Sequence, residues 1–542
     1  MKKQNYKTFI LLLIFFLIKV TGFSQNEDEQ LKKFEQVISY IDNNYVDSVD
    51  KKQIVKNAIV ASLKELDPHS VYYDKDKIEE LNRGLVGSFV GVGISYDIIN
   101  DTVLILSVIK DGPSDIAQVM QGDRIIKVDN ELIAGKGLID DDKLRDLLTG
   151  QKGSGVLLSI KRNGIEKLID FKVIRNKVSV NSIDASYKIN DDIAYIKLKR
   201  FSSTSMDEFK KVIEKLGLNG SKKLILDLRG NRGGYLYVSV RLLENFLNKR
   251  SLVLSTKGLH SSKKEYRTYL NGKLKNTDLV ILINESSASA SEIVSGAIQD
   301  WDRGVIVGRL SYGKGLVQKP FYLNDGSMMR LTIAKYYTPS GRNIQKPYDK
   351  GQDKYNHEIA DRVSNGELMH KDSIKHNDSL KFYTLNNKRL IYGGGGIMPD
   401  IFVELDTLKY PQFYKDFLGT GKINEFIHLF VDKNRSFFKD NFGNFESFNK
   451  KWNVDRKNVE ELILYLNNDE ENLLDLTDEL FSNDFVKEHL KALVAYDVFG
   501  ENEYFKIINE KDETFNKAIE ILNNKKKYYE ILHNDVVGEY IE

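Results

Sequence analysis

Residues 279–307 read LVILINESSASASEIVSGAIQDWDRGVIV. Leu279–Ile283 is an unbroken apolar run of strand length. Residues 290–299 suit a helix, and 305–307 form a second apolar run. A strand, a turn rich in small hydroxylated residues, a helix and another strand make the unit of an α/β layer structure. The same alternation extends upstream. A strand is expected at 193–198, and a helix at 207–216 with Phe209, Val212, Ile213 and Leu216 on one face. An apolar strand follows at 224–228, then a glycine turn and a helix at 237–247. Strands and helices alternate in this way from about Ile183 to Gln345, within a core domain placed at 178–405.

Other patterns surround it. Residues 84–177 carry short apolar or alternating runs, at 103–108, 124–128 and 156–161, punctuated by Gly112-Pro113 and Gly122-Asp123. They predict a compact β-rich module with two short helices. Residues 25–83 carry helical spacing in Leu31, Phe34, Ile38, Ile41 and Tyr45, and again in Ile54, Ala58, Ser62 and Leu66, before Asp67-Pro68 breaks the pattern. Two such helices are too small for a domain, so they are expected to pack on the body or on a second copy. Residues 346–390 are polar and charged, too long for an ordinary loop, and are expected to form a mobile insertion. Residues 406–542 read as a helical extension. At the N-terminus Lys2, Lys3 and Lys7 precede an apolar run from Phe9 to Ile18, followed by small residues to Ser24. This is an export signal over 1–24, with a retained membrane anchor as the alternative; the run is short of the ~20 residues that span a bilayer.

Composition narrows the chemistry. The chain has 542 residues, beyond the roughly 250–300 that one core supports. Its 80 basic and 78 acidic residues leave a net charge of +2, which gives no general electrostatic reason to bind nucleic acid. Without cysteine there is no disulfide framework, thiolate zinc site, cysteine nucleophile or lipid-bearing cysteine. The eight histidines form no HxxxH or HExxH pair, so no metal site built on paired histidines is expected.

Three clusters hold reactive or permissive residues. The first is the serine-rich turn 285–293, where helix N–H groups would lie open to a developing oxyanion. N-capping is the commoner role of a serine at such a junction. The second is Ser311-Tyr312-Gly313-Lys314-Gly315-Leu316-Val317-Gln318. A lysine buried beside a serine could lose its proton and act as a general base, whereas an isolated lysine in a glycine turn is usually a surface residue. Gly308, Gly313 and Lys314 have phosphate-loop spacing, but Gly315 replaces the metal-binding hydroxyl. The third is Asp227-Leu228-Arg229-Gly230-Asn231-Arg232-Gly233-Gly234, a strand entering a glycine turn that could present backbone N–H groups or simply require positive φ.

Together these clusters resemble the C-terminal processing peptidases, or tail-specific proteases. The resemblance rests on Ser287-Ala288-Ser289-Ala290-Ser291-Glu292-Ile293, Gly296-Ala297, Gln299-Asp300, Arg303, Gly308, Gly313-Lys314-Gly315 and Gln318. Leu66-Asp67-Pro68-His69-Ser70, Leu331–Arg342 and Gly395–Asp400 extend it over about 30–405. It implies a crotonase-like protease core with Ser289 as nucleophile, Lys314 as base 25 residues later, and Gln318 orienting the lysine. It implies oxyanion donors at the N–H groups of Gly233 and Ala290, and no metal or other cofactor. Arg232 replaces the proline usual in the glycine turn.

The module at 84–177 resembles a PDZ domain inserted in that protease. Phe89-Val90-Gly91-Val92-Gly93-Ile94 resembles its carboxylate-binding loop, which places Gly91, Val92, Gly93 and Ile94 at a peptide C-terminus, with the peptide adding as a strand. The resemblance thus implies an exported, periplasmic or envelope-associated serine endopeptidase. Its partners would be proteins with free, apolar C-termini, and the helical ends would serve for homodimer or adaptor contacts. A catalytically inactive PDZ scaffold is the alternative, and retention of Ser289, Lys314 and Gln318 together argues against it. A crotonase-like acyl-CoA enzyme suits the layers but not export.

Overall fold

Five parallel strands and one antiparallel edge strand form the central sheet, in the order Ile183–Lys188, Ile193–Leu198, Lys223–Asp227, Leu279–Ile283, Val305–Gly308 and Ile401–Phe402. The computed structural model describes residues 29–138, 140–218, 222–467 and 473–533. The export signal expected over 1–24 lies outside them. Among the described residues no helix is long and apolar enough to cross a membrane.

The inner strands Lys223–Asp227, Leu279–Ile283 and Val305–Gly308 are largely apolar on both faces because both faces are covered. On one face Ile196, Leu226, Ile281 and Ile306 pack with helices Ser205–Leu216, Leu236–Leu243 and Ala290–Asp300, through residues such as Phe209, Leu242 and Val294. On the other face Tyr195, Ile225, Val280, Leu282 and Val307 pack against Phe515, Ile521, Leu522, Tyr528 and Leu532. Those last residues belong to helices Glu513–Asn523 and Lys525–His533. The tail expected to be one helical extension over 406–542 is therefore two things. Helices between Gln412 and Glu510 enclose their own core, with Tyr414, Phe438, Phe448, Leu462 and Leu490. The final two helices complete the sheet's second layer.

A separate antiparallel sheet occupies the β-rich module, in the order Ile94–Ile99, Thr102–Val108, Arg124–Val128, Gly155–Lys161 and Ile169–Ile174. Its core contains Val103, Ile125, Leu144 and Leu158. Helix Asp141–Leu148 starts where the Asp140 side chain accepts the Lys143 N–H at 2.8 Å, a standard N-cap. The turn before Arg124–Val128 is tied to the C-terminal helices. Arg124 pairs with Asp432 at 2.7 Å, and the Gln121 amide donates to the Asp497 carbonyl at 2.7 Å.

The segment expected to be mobile, 346–390, is ordered. It contains helix Gln352–Ser364, two short 3-10 turns and the hairpin Lys381–Tyr383 with Leu390–Tyr392. Its charges are not solvated as its composition suggests. Lys346 and Arg362 are buried and both meet Glu358, and Arg389 joins Asp302 and Asp400 at 2.7 and 2.6 Å.

The described residues up to Asp74, with Lys319–Thr332, form a separate compact unit. In it Val71–Tyr73 pairs antiparallel with Met328–Arg330. Buried Asp67 accepts from the Ser70 hydroxyl at 2.6 Å, the His69 N–H at 2.8 Å and the Thr332 hydroxyl at 2.9 Å, which accounts for the Asp67-Pro68-His69-Ser70 pattern. Residues 29–44 are helical, but of their apolar residues Leu31 and Phe34 are 65% and 44% exposed.

Candidate active site

Parallel strand Leu279–Ile283 ends at the serine turn, and the turn's hydroxyls have separate tasks. Ser287 Oγ donates to the Leu228 carbonyl, Ser291 Oγ to the Asn231 carbonyl, both at 2.8 Å, and Ser295 Oγ to the Ser291 carbonyl at 2.9 Å. These three are structural. Ser289 differs in its backbone, with φ 57° and ψ −110°. It is the one serine at positive φ among the described residues. A non-glycine residue held there costs on the order of 1–3 kcal/mol, and such strain persists where surrounding bonds over-determine it.

Those bonds centre on Glu292, which is fully buried. One of its oxygens accepts the Ser289 N–H at 2.8 Å and the Lys314 N–H at 2.9 Å. The other accepts the Ser311 hydroxyl at 2.6 Å and the Gly313 N–H at 2.7 Å. One carboxylate thus fixes the start of the serine helix to the loop that carries the lysine. Burial pushes the Glu292 carboxyl above its ordinary value, and its four donors pull the other way. Buried Tyr336 adds a second tie: its hydroxyl donates to the Lys314 carbonyl at 2.7 Å and lies 3.2 Å from the Ser289 carbonyl. The spacing Ser289-x-x-Glu292 is that of a capping box, so a helix-start signal for the glutamate was present in the sequence. Nothing local in the sequence points to the role of Tyr336.

Ser289 and Lys314 are both half-buried, and Gln318 lies half-buried on strand Leu316–Tyr322, which leaves the lysine loop. Ala290 opens the helix, where N–H groups lack intrahelical partners. Gly233, at φ 100°, comes so close that a Cβ on it would stand 2.9 Å from Ser289 Cβ and 3.0 Å from the Ala290 nitrogen. Only glycine fits there. Its N–H, however, donates to Asn231 Oδ1 at 2.8 Å. The expected oxyanion donor is thus beside Ser289 but turned to its own loop.

Other residues of the resembling motifs are structural. Arg342 and Asp300, both fully buried, pair at 2.8 Å, and Arg342 also donates to Gln299 Oε1 at 2.7 Å. On the glycine turn, Arg229 joins Asp227 and Asp512 at 2.7 Å each, and Lys197 donates to the Arg229 carbonyl at 2.9 Å. The adjacent arginine and lysine charges hold the Asp227 carboxyl well below the usual carboxylate range despite its burial.

In the β-rich module, Ile94–Ile99 is an edge strand facing helix Asp141–Leu148. Between them a cavity of about 150 Å³ is lined by Phe89, Val92, Gly93, Ile94, Tyr96, Arg145, Leu148 and Thr149. Of the four expected loop residues, Val92, Gly93 and Ile94 line it. Gly91 ends strand Ser88–Gly91 and bridges to Thr149 instead.

Residues 192–351 match peptidase family S41, residues 18–77 the activating protease CtpB N-terminal domain, and residues 413–500 a family of unknown function. A carboxy-terminal-processing protease of Bartonella bacilliformis is 34% identical over 329 residues, covering 60% of this chain and 75% of that protein. A probable CtpA-like serine protease of Staphylococcus aureus is 33% identical over 337 residues, covering 62% and 66%. Among solved structures, the photosystem II D1 C-terminal processing protease is similar at 27% identity with a TM-score of 0.35, over 58% of this chain and 83% of that one.

Proposed function

The chain belongs to the carboxy-terminal-processing proteases of peptidase family S41 and is a serine-type peptidase, and from that premise we propose that it is an exported endopeptidase acting on protein C-termini through a Ser289–Lys314 dyad. The observation that carries this reading is the Glu292 carboxylate, which holds the N–H groups of Ser289 and Lys314 on one oxygen atom.

In this mechanism neutral Lys314 Nζ takes the Ser289 hydroxyl proton as Oγ attacks the peptide carbonyl carbon. Gln318 orients the lysine. The oxyanion that forms meets the Ala290 N–H. It also draws the Gly233 N–H away from Asn231 Oδ1, because a charged acceptor binds a donor more strongly than a neutral amide oxygen. The proton on Lys314 passes to the leaving amine, the C–N bond breaks, and an ester links the substrate to Ser289. Water, deprotonated by Lys314, then releases the acid and restores the hydroxyl.

The module at 84–177 acts as a PDZ domain that selects the substrate. A peptide adds as a strand along the outer edge of Ile94–Ile99, with its terminal carboxylate at the Gly91–Ile94 loop. The apolar cavity of Phe89, Val92, Ile94 and Leu148 takes an apolar final side chain. Export rests on the basic and apolar pattern of residues 1–24.

The test is cleavage of an unfolded protein with an apolar C-terminus by residues 25–542. Ser289→Ala and Lys314→Ala should each abolish cleavage while the melting temperature holds. Cleavage that survives Ser289→Ala sinks the assignment. Amidation of the substrate's C-terminus should slow wild-type cleavage; an unchanged rate removes the PDZ part of the reading.

A further inference from the structure

Lys314 sits in a loop whose other members are held from outside the region that matches peptidase family S41 or at its very end. The Gly315 N–H donates to Gln345 Oε1 at 2.8 Å. The Gly313 carbonyl accepts the Lys346 N–H at 2.9 Å. The Tyr312 ring meets the Tyr355 ring edge-on, and the Lys346 ammonium lies between them, 4.0 and 4.3 Å from the two ring centres. The Ser311 carbonyl accepts from Arg362 Nη1 at 2.8 Å. Residues 311, 312, 313 and 315 are thus all anchored to the segment 345–362.

Helix Gln352–Ser364 makes this possible by placing Tyr355, Glu358 and Arg362 on one face. Glu358 joins the two buried cations, at 2.8 Å to Lys346 and also to Arg362 Nε. Arg362 spans further, to the Gly395 carbonyl at 3.3 Å. Its effect reaches the dyad through a short relay. Arg362 holds the Ser311 backbone, Ser311 Oγ donates to Glu292, and Glu292 holds the N–H groups of Ser289 and Lys314. A buried arginine with three such partners is rigid, and a rigid support transmits position.

We propose that Arg362 is a positioning residue for the Ser289–Lys314 dyad, so that the segment 346–390 is part of the catalytic apparatus. The proposal rests on the dyad mechanism given above. Loss of the guanidinium would let the 311–315 loop drift relative to the serine helix, and displacement of a reacting group by about 1 Å costs up to about a hundredfold in rate.

The experiment uses the full chain without residues 1–24. Active sites are counted by fluorophosphonate labelling of Ser289, and kcat and KM for a quenched peptide are measured across pH per labelled site. Arg362→Gln should lower kcat about tenfold or more with KM within about twofold, and shift the pH profile of kcat, because positioning acts on the transition state and not on ground-state binding. Arg362→Lys, which keeps a cationic donor at this position, should recover part of the loss. Unchanged kcat per labelled site and an unchanged pH profile in Arg362→Gln would overturn the proposal. If Arg362→Gln does not fold, Glu358→Gln is judged by the same two readings. A wild type that neither labels nor cleaves overturns the dyad mechanism, and this inference with it.

Discussion

At the scale of single residues, Glu292 carries four hydrogen bonds on one buried carboxylate, and each has a geometric consequence for the dyad. Replacement by glutamine keeps the shape but turns an NH2 group toward two donors. Glu292→Gln should therefore cost about 2–4 kcal/mol of stability, the range for breaking a buried charged network. It should also lower kcat about a hundredfold. Denaturant melts and per-site kinetics check both; a glutamine variant with wild-type kcat would show that the carboxylate does not position the dyad. The proposal of Ser289 among five nearby serines came from the resemblance, in which the lysine follows the serine by 25 residues. Its strained backbone and the hydroxyl partners of Ser287, Ser291 and Ser295 were not legible in the sequence. The partners of Ser287 and Ser291 are the carbonyls of Leu228 and Asn231, about sixty residues away in sequence.

At the scale of elements, charge was the misleading signal. Residues 346–390 carry lysines, arginines and acids that composition assigns to solvent, yet Lys346, Arg362 and Arg389 are buried in pairs. Composition counts charges and is blind to their partners. The helices between Gln412 and Glu510 supply a second case. His489, on helix Asp484–Phe499, pairs with the Tyr414 hydroxyl at 2.8 Å inside an apolar core. Burial, with Lys409 nearby, lowers its imidazole from 6.5 to about 4. A histidine lowered by folding binds more protons in the unfolded chain. Its contribution to stability is present above about pH 6.5 and is lost as pH falls toward 4. Stability of these helices should drop by about 2–3 kcal/mol from about pH 7 to about pH 4.5, and His489→Gln should remove that part of the slope. Hydrogen exchange in Lys422–Lys433 and Asp484–Phe499 reads it directly; equal slopes in both proteins would refute the assignment.

At the scale of the whole molecule, the last two helices close the sheet that carries the site. Phe515, Ile521, Leu522, Tyr528 and Leu532 cover its second face, and Asp512 pairs with Arg229 at the entry to the glycine turn. Full burial of each large apolar side chain is worth about 1.5–3 kcal/mol, so five together are comparable to the ~5–15 kcal/mol stability of a typical domain. A chain ending at Asp512 should therefore be insoluble or melt far below the full chain, measured by yield and calorimetry. A soluble, active truncation would make the tail an accessory. The run Leu279–Ile283 already held the clue, because a parallel strand apolar at every position needs cover on both sides. The Arg124–Asp432 and Gln121–Asp497 contacts make the intervening helices a bridge to the β-rich module, which no local pattern announces.

The sequence by itself determined the strand–helix alternation and the motifs that mark the family, and through that resemblance it proposed Ser289, Lys314 and Gln318. These are local or fixed-distance properties of the chain. The tertiary structure alone decided that Glu292 and Tyr336 join the serine to the lysine, and that the Gly233 N–H rests on Asn231. It also decided that a polar insertion braces the lysine loop and that the final helices belong to the core sheet. Each of those outcomes depends on which distant groups share a buried volume. Hydrogen bonds and ion pairs there are set by direction and desolvation, and neither is written in residue order.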